Sequence, residues 1–569
     1  MANDLDEFGI FKKSRGQPDN TIGVVVGGSL SKGLDVKLTF GDVEHGVPAG
    51  SVIEGMAVGK YVVVKGATGR RFFSIVTDIA LDANNPDLPK SPPDDSFSAE
   101  ILGSSIAFGR LQVAPMLLLE DGAGSPKPVK TIPAHFSRVY EATPEDVDTI
   151  FGQEGRDKKT GDYRWHIGSP LDMSESVKIN LNLNRLVERS SGVFGKSGTG
   201  KSFITSIILS KVINESVATC LIFDMHGDYG WKLKGEKGRE FHGLRQLCQS
   251  RVQVVALDPE AIRHRGDQPE MDLRIGLNQL EPEDVDLLSE MLGLSDVQTG
   301  AMYFLRRKLG KNWINELLSD NESQVITDMI EKGQIIASTL GAIQRKFEMF
   351  KRFEFIEEHV NETAVEEIFA RLVRGTSIVL DFGKYGNDDN SLIAYLLVSN
   401  FLTRRIHRRY VERRNKAMGN AADDTLPLVI VIEEAHKFLK QQIAQHTIFG
   451  TIARELRKYK VILMIIDQRP SGIDEEVMSQ IGTRVTCLLD NEADIRAVFS
   501  GVSGASQLRE VLARLDTQQQ ALILGHAVPM PVVVKTREYD EALYAAVGFA
   551  DGEARKEKRK KDNVTLYGE

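Results

Sequence analysis

The segment Gly195-Lys196-Ser197-Gly198-Thr199-Gly200-Lys201-Ser202 has the spacing G-x-x-x-x-G-K-[ST], and the chemistry it suits is phosphate binding. Glycines let successive backbone N–H groups turn inward around phosphate oxygens, and the positive N-terminal end of a following helix points at the same anion. In such a loop Lys201 bridges the β- and γ-phosphates of ATP and Ser202 ligates Mg²⁺. The flanks agree, because the β-type run Gly192–Phe194 precedes the loop and a helical pattern, Phe203–Val212, follows it. A second constellation is the apolar run Leu428–Ile432 followed by Glu433-Glu434. It reads as a buried strand ending in two carboxylates, the first ordering the metal and the second polarising a water. Glu433 takes the first role and Glu434 the second. Glu stands where Asp is common, and its longer side chain leaves open whether Glu433 meets Mg²⁺ directly or through water.

Further polar groups sit at the ends of strand-like runs, where ligands of parallel sheets bind. Asp224 follows Leu221–Phe223 and opens the segment Asp-Met-His-Gly-Asp-Tyr, so it is read as positioning water or metal. Gln468 follows Ile465-Ile466-Asp467, and an amide there can hydrogen-bond a γ-phosphate and sense its loss. Between these elements Arg454, Arg457 and Lys458 recur at helical spacing. A cation needed only in the transition state can be donated by a neighbouring subunit, and Arg454 and Arg457 are the candidates; a solvated helix face is the competing reading. Arg404, Arg405, Arg408, Arg409, Arg413, Arg414 and Lys416 crowd another helical segment with Glu412 as the acid among them. They read as a surface face rather than a DNA path.

These residues need elements to hold them. Residues 21–155 read as a small β-barrel of short strands with Gly turns, interrupted by the Pro- and Asp-rich loop 82–95. Residues 156–280 and 376–540 alternate buried β-runs with helical patterns, as an α/β core with a parallel sheet does. The stretch 281–375 switches to helical period and reads as an all-helical insertion, starting at Pro282. Residues 1–20 and 541–569 are read as tails, the second strongly charged. The chain has 569 residues with 71 Lys+Arg and 80 Asp+Glu, a formal charge of −9. Such a balance excludes a uniformly basic coat but permits a local basic channel. Three scattered cysteines argue against a disulfide framework or a cysteine zinc site, and no apolar window is long enough to span a membrane. A cytoplasmic location is the expectation.

The ordered set resembles the HerA family, within the HerA/FtsK group of ring-forming P-loop ATPases. The matching features run from about residue 20 to 540: the barrel, Ile167-Gly168, Arg189 ahead of the phosphate loop, GKSGTGKS, DMHGDY, the helical insertion, IEEAH, AREXRKY with Leu456 at X, and IDQRPS. The family usually has Gly where Leu456 stands. The resemblance implies a RecA-like ATPase core, a nucleotide contact for Arg189, and a homo-hexamer that hydrolyses ATP at subunit interfaces and moves double-stranded DNA through its pore. It also implies a partner on the barrel face, either a NurA-like nuclease or an antiviral-defence effector such as a sirtuin-like NADase. Two functions compete. One is a translocase or helicase; the other is an ATP-responsive ring scaffold that assembles and switches an effector without productive movement. A secretion or conjugation ATPase is disfavoured by the missing membrane segments.

Overall fold

The computed structural model describes residues 21–38, 55–84, 90, 92–95, 98, 107–120, 126–171, 173–234, 239–319, 323–361, 363–386, 391–417, 425–444, 447–455, 458–502, 505–517 and 519–549. The N-terminal tail, Leu456, Arg457 and the basic run after Asp551 lie outside the described residues. The chain divides into two compact units, residues 1–150 with 506–511, and residues 151–505 with 512–569.

In the first unit β1 (Thr21–Ser29), β2 (Gly33–Leu38), β3 (Tyr61–Lys65), β4 (Arg71–Ala83), β5 (Ala107–Leu119) and β6 (Arg138–Glu141) pair in the order β2-β1-β6-β3-β4-β5. A further antiparallel pairing, Leu34 to Val113 through Lys37 to Arg110, joins β5 back to β2 and closes a six-stranded barrel. Closure leaves no unpaired edge among these strands. Alternate residues point inward, so Val25, Val36, Val62, Val64, Phe72, Val76, Leu111, Val113 and Val139 form one buried core. The patterns at 106–109 and 113–119 read as two strands but form one, β5. Its Pro115 lies opposite Ser74, next to an irregularity between Phe73 and Ser74, which is where a strand tolerates a residue without an N–H.

The second unit is built on one large sheet. Its central strands are β9 (Ser191–Phe194), β10 (Thr219–Asp224), β11 (Val252–Ala256), β12 (Ser377–Asp381), β13 (Leu428–Glu433), β14 (Val461–Asp467) and β15 (Thr483–Thr486). They lie side by side as β15-β9-β14-β13-β10-β12-β11, all parallel. β7 (Tyr163–Ser169), β8 (Ile179–Asn182), β16 (Gln520–Gly525) and β17 (Val532–Thr536) extend the sheet antiparallel beyond β15. Both faces of the central strands are buried, which explains their unbroken runs of Val, Ile and Leu. Helix α1 (Lys201–Asn214) is apolar nearly all round and buries Ile204, Ile207, Ile208, Leu209, Val212 and Ile213. This is the RecA-like core expected from the sequence.

Between β11 and β12 the chain leaves the sheet for a group of helices that includes α2 (Asp296–Leu309) and α3 (Ala337–Phe347). Its two ends are stitched together by the pairing of Ile275-Gly276 with Ile356-Glu357. Helix α4 (Thr363–Val373), which the periodicity counts with the insertion, packs instead against β10 and β12 as a crossover helix. The arginines of the long helix α5 (Ser391–Ala417) face acids of this region. Arg404 and Arg405 reach the fully buried Asp284 at 2.7 and 3.2 Å, and Arg409 pairs with Glu366. The crowd of positive charge at 404, 405 and 409 is thus matched inside the unit. Composition assigns 541–549 to the tail, but helix α7 (Glu541–Ala546) buries Leu543 and Tyr544 there. Among the described residues no helix is long and apolar enough to cross a membrane.

Candidate active site

Parallel strands in register deliver their C-terminal residues to one edge of the sheet. Phe194 stands beside Asp467, Glu433 beside Ile466, and Asp224 beside Asp381. The loops that leave this edge enclose a cleft of about 650 Å³ lined by Ser197 to Ser202, Asp228, Glu433, Glu434, Asp467 and Gln468. Residues far apart in sequence, the phosphate loop, the carboxylate pair and the amide, therefore meet.

The phosphate loop takes its shape from glycine. Gly195 has φ 150°, and a Cβ there would stand 2.8 Å from both Thr199 Oγ1 and Cys487 Cβ. Gly200, at φ 91°, is the left-handed cap of α1. Thr199 Oγ1 and Lys201 Nζ both donate to the Lys196 carbonyl, at 2.8 and 2.6 Å, folding the loop over itself. Burial holds the Lys201 ammonium below its ordinary pKa, against the pull of Cys487, Glu434, Glu433 and Asp467. A phosphate would restore the missing counter-charge. Lys196 pairs with Asp490 at the rim.

Glu433 ends β13 almost wholly buried. Tyr229 donates to its Oε1 at 3.2 Å, while Tyr395 holds its backbone N–H and C=O at 2.9 and 3.1 Å. Its Oε2 has no hydrogen-bond partner. Burial, with Asp224 and Asp228 nearby, pushes its pKa well above the carboxylate range. An orphaned buried carboxylate oxygen beside a phosphate loop is what a hard cation would satisfy. Ser202 Oγ, the other predicted metal ligand, donates to Asp228 Oδ2 at 2.8 Å. The donor set is chemically suited to Mg²⁺.

Glu434 occupies the left-handed region at φ 48° and ψ 44°, a conformation that costs a non-glycine residue about 1–3 kcal/mol. It is steadied on two sides. Gln468 Nε2 donates to Glu434 Oε1 at 3.1 Å, and His436 Nε2 lies 3.7 Å from Oε2. His436 is anchored in turn, its backbone N–H on Asp467 Oδ2 at 2.6 Å and its Nδ1 3.0 Å from the same oxygen. The sequence reading placed neither His436 nor Asp467. They lie two residues from Glu434 and one from Gln468, but only the pairing of β13 with β14 reveals that they touch.

Other expectations do not meet in the cleft. Asp224 is fully buried below it, and its carboxylate accepts the N–H groups of Asp228, Tyr229 and Gly230 at 2.7, 2.9 and 2.9 Å. Burial and the neighbouring Asp381 push its pKa up to about 7. It shapes the turn, and Asp228, four residues on, is the acid that reaches Ser202. Arg454, on helix α6 (Ile448–Glu455), pairs with Glu476 at 3.2 Å and donates to the Ala444 carbonyl. Arg189 is exposed, its stem packed where Gly482 leaves room. Neither lines the cleft of this single chain.

Strand order and cleft together make this chain a P-loop ATPase. Residues 165–406 match the family model described as the central domain of the helicase HerA. It is similar to the DNA double-strand break repair helicase HerA of Pyrococcus furiosus, 23% identical over 513 residues that cover 85% of this chain and 88% of that one. The protein of the same name from Saccharolobus solfataricus is 27% identical over 437 residues, covering 73% and 75%. The solved structure of VirB4 from Thermoanaerobacter pseudethanolicus aligns with 68% of this chain and 100% of its own, at 13% identity and a TM-score of 0.41.

Proposed function

We propose that this protein is an ATP-driven motor that translocates on or unwinds double-stranded DNA, working in the cytoplasm as a homo-hexameric ring. The observation that carries the reading is Glu434, held in a strained conformation between Gln468 and His436, facing the phosphate loop across the cleft. Strain maintained by its surroundings is characteristic of a working site. In this reading the loop amides and Lys201 hold the β- and γ-phosphates. Ser202, oriented by Asp228, and Glu433 Oε2 would hold Mg²⁺, which when bound would supply positive charge against the transferred phosphoryl group. Glu434 accepts a proton from the attacking water, and Gln468 reports the γ-phosphate to β14. Arg454 or Arg457, and Arg189, complete the site from a neighbouring subunit or at the interface.

The substrate reading rests on the two archaeal relatives, whose names describe DNA repair helicases. A nuclease or defence effector docked on the barrel would give the motor its task. Duplex DNA of arbitrary sequence should stimulate hydrolysis. Binding through the backbone should weaken with salt at a slope of log K against log salt of roughly −4 to −5 for about five phosphates neutralised. Hydrolysis indifferent to DNA at every salt concentration would favour the scaffold reading.

A further inference from the structure

Away from the phosphate loop, the cleft runs into an aromatic wall that no motif accounts for. Phe203 is the third residue of α1, two places after Lys201. Its ring centroid lies 5.0 Å from Phe241 and 5.3 Å from Tyr539, and the last two are 6.2 Å apart. The three come from separate segments and line the same cleft as Lys201 and Glu434. Tyr539 is fixed in place, its hydroxyl donating to the His242 carbonyl at 2.6 Å and its ring packed on Tyr544 at 5.5 Å. Phe203 is 38% exposed and Phe241 half-buried. Two phenyl faces are therefore left wet at the mouth of a polar cleft, an arrangement that favours a flat apolar occupant.

We propose that Phe203, Phe241 and Tyr539 form the seat of the nucleotide's base, which they take by stacking and not by hydrogen-bond readout. The proposal rests on the ATPase reading above and names what recognises the other end of the same ligand. Its geometry is economical: one helix supplies both Lys201 for the phosphates and Phe203 for the base. Among the described residues, the polar side chains at this end besides Ser206, which bonds the Tyr539 side chain, are His242, whose ring packs on Tyr544 and Phe549 at 4.9 and 4.6 Å, and the exposed Gln519. Neither belongs to a rigid, convergent set of donors and acceptors of the kind that distinguishes one base from another. Stacking area then decides, so purines should outrank pyrimidines while ATP and GTP bind within a few-fold of each other.

The test compares ATP, GTP and inorganic tripolyphosphate binding to the full-length protein by calorimetry. Phe241→Ala should weaken ATP about ten- to a hundred-fold and leave tripolyphosphate unchanged, since base stacking on an aromatic ring supports an effect of that size. Phe241→Trp, which restores a stacking face, should recover most of the ATP affinity. Lys201→Ala should weaken both ligands. If Lys201→Ala weakens both but Phe241→Ala leaves the ratio of ATP to tripolyphosphate affinity unchanged, the base seat is overturned and the ATPase reading stands. If GTP binds wild type a hundred-fold more weakly than ATP, readout by stacking alone is overturned. If Lys201→Ala changes neither affinity, the phosphate site itself fails, and the seat with it.

Discussion

At the residue scale the proposed division of labour lies between two adjacent glutamates held in different ways. Glu433 is buried among tyrosine hydroxyls with one oxygen unpartnered, whereas Glu434 is swung by its left-handed backbone toward Gln468 and His436. Glu434→Gln should therefore retain nucleotide while losing turnover, because the amide keeps size and hydrogen bonding but is no base. Rapid single-turnover hydrolysis with that variant, and none with Glu433→Gln, would reverse the assigned roles. Asp228 supplies a second prediction. Removing the acceptor for Ser202 Oγ in Asp228→Ala should raise the KM for Mg²⁺·ATP about ten-fold, in line with about 1.5 kcal/mol for a hydrogen bond to a charged group. Asp228→Asn, which keeps a carbonyl oxygen, should lose less, and steady-state kinetics over a range of Mg²⁺ separates the two. The phosphate loop and the Glu-Glu pair are legible in the sequence because spacing alone defines them. The exchange of Asp224 for Asp228 is not, because it depends on a turn that wraps three N–H groups around the first acid and frees the second.

At the scale of elements, the buried strands are legible from their apolar runs, and their polar ends locate the cleft. Length and closure are harder to read. β5 looks like two strands because Arg110 and Gln112 interrupt the apolar pattern between 106–109 and 113–119, and the pairing of β5 with β2 that closes the barrel joins segments more than 70 residues apart in sequence. The arginines of α5 show the same limit, since their partners come from the insertion and from α4. Asp284 carries the consequence. Its carboxylate faces Arg404 and Arg405 and also accepts the Glu281 N–H at 2.9 Å, capping the first turn of the insertion. Asp284→Ala should destabilise the second unit by about 3–5 kcal/mol, the range for breaking a buried pair from one side. Thermal unfolding should register that loss, and limited proteolysis should cut earliest near residues 281–290. An unchanged melting temperature would mean the arginines are solvated in solution and remain available for another partner.

At the scale of the whole molecule, a single chain gathers the phosphate loop, both glutamates and Gln468 but leaves Arg454 bonded to Glu476 outside the cleft. Among the described residues no arginine lines the cleft, which is consistent with completion by a neighbour. Mixing Arg457→Ala with Glu434→Gln subunits should accordingly restore part of the activity that each lacks alone, wherever an intact Glu434 meets an intact arginine. Verified mixed rings without recovery, for Arg457 and Arg454 alike, would contradict donation in trans. In the proposed ring, hydrolysis becomes work only if DNA moves, and that is the central claim. The direct measurement is displacement of a third strand from a duplex track by the wild-type ring, with Glu434→Gln as the control. The account predicts displacement that requires ATP and is lost in the variant. ATP hydrolysis that proceeds on the same duplex with no third strand displaced at any salt concentration would contradict it.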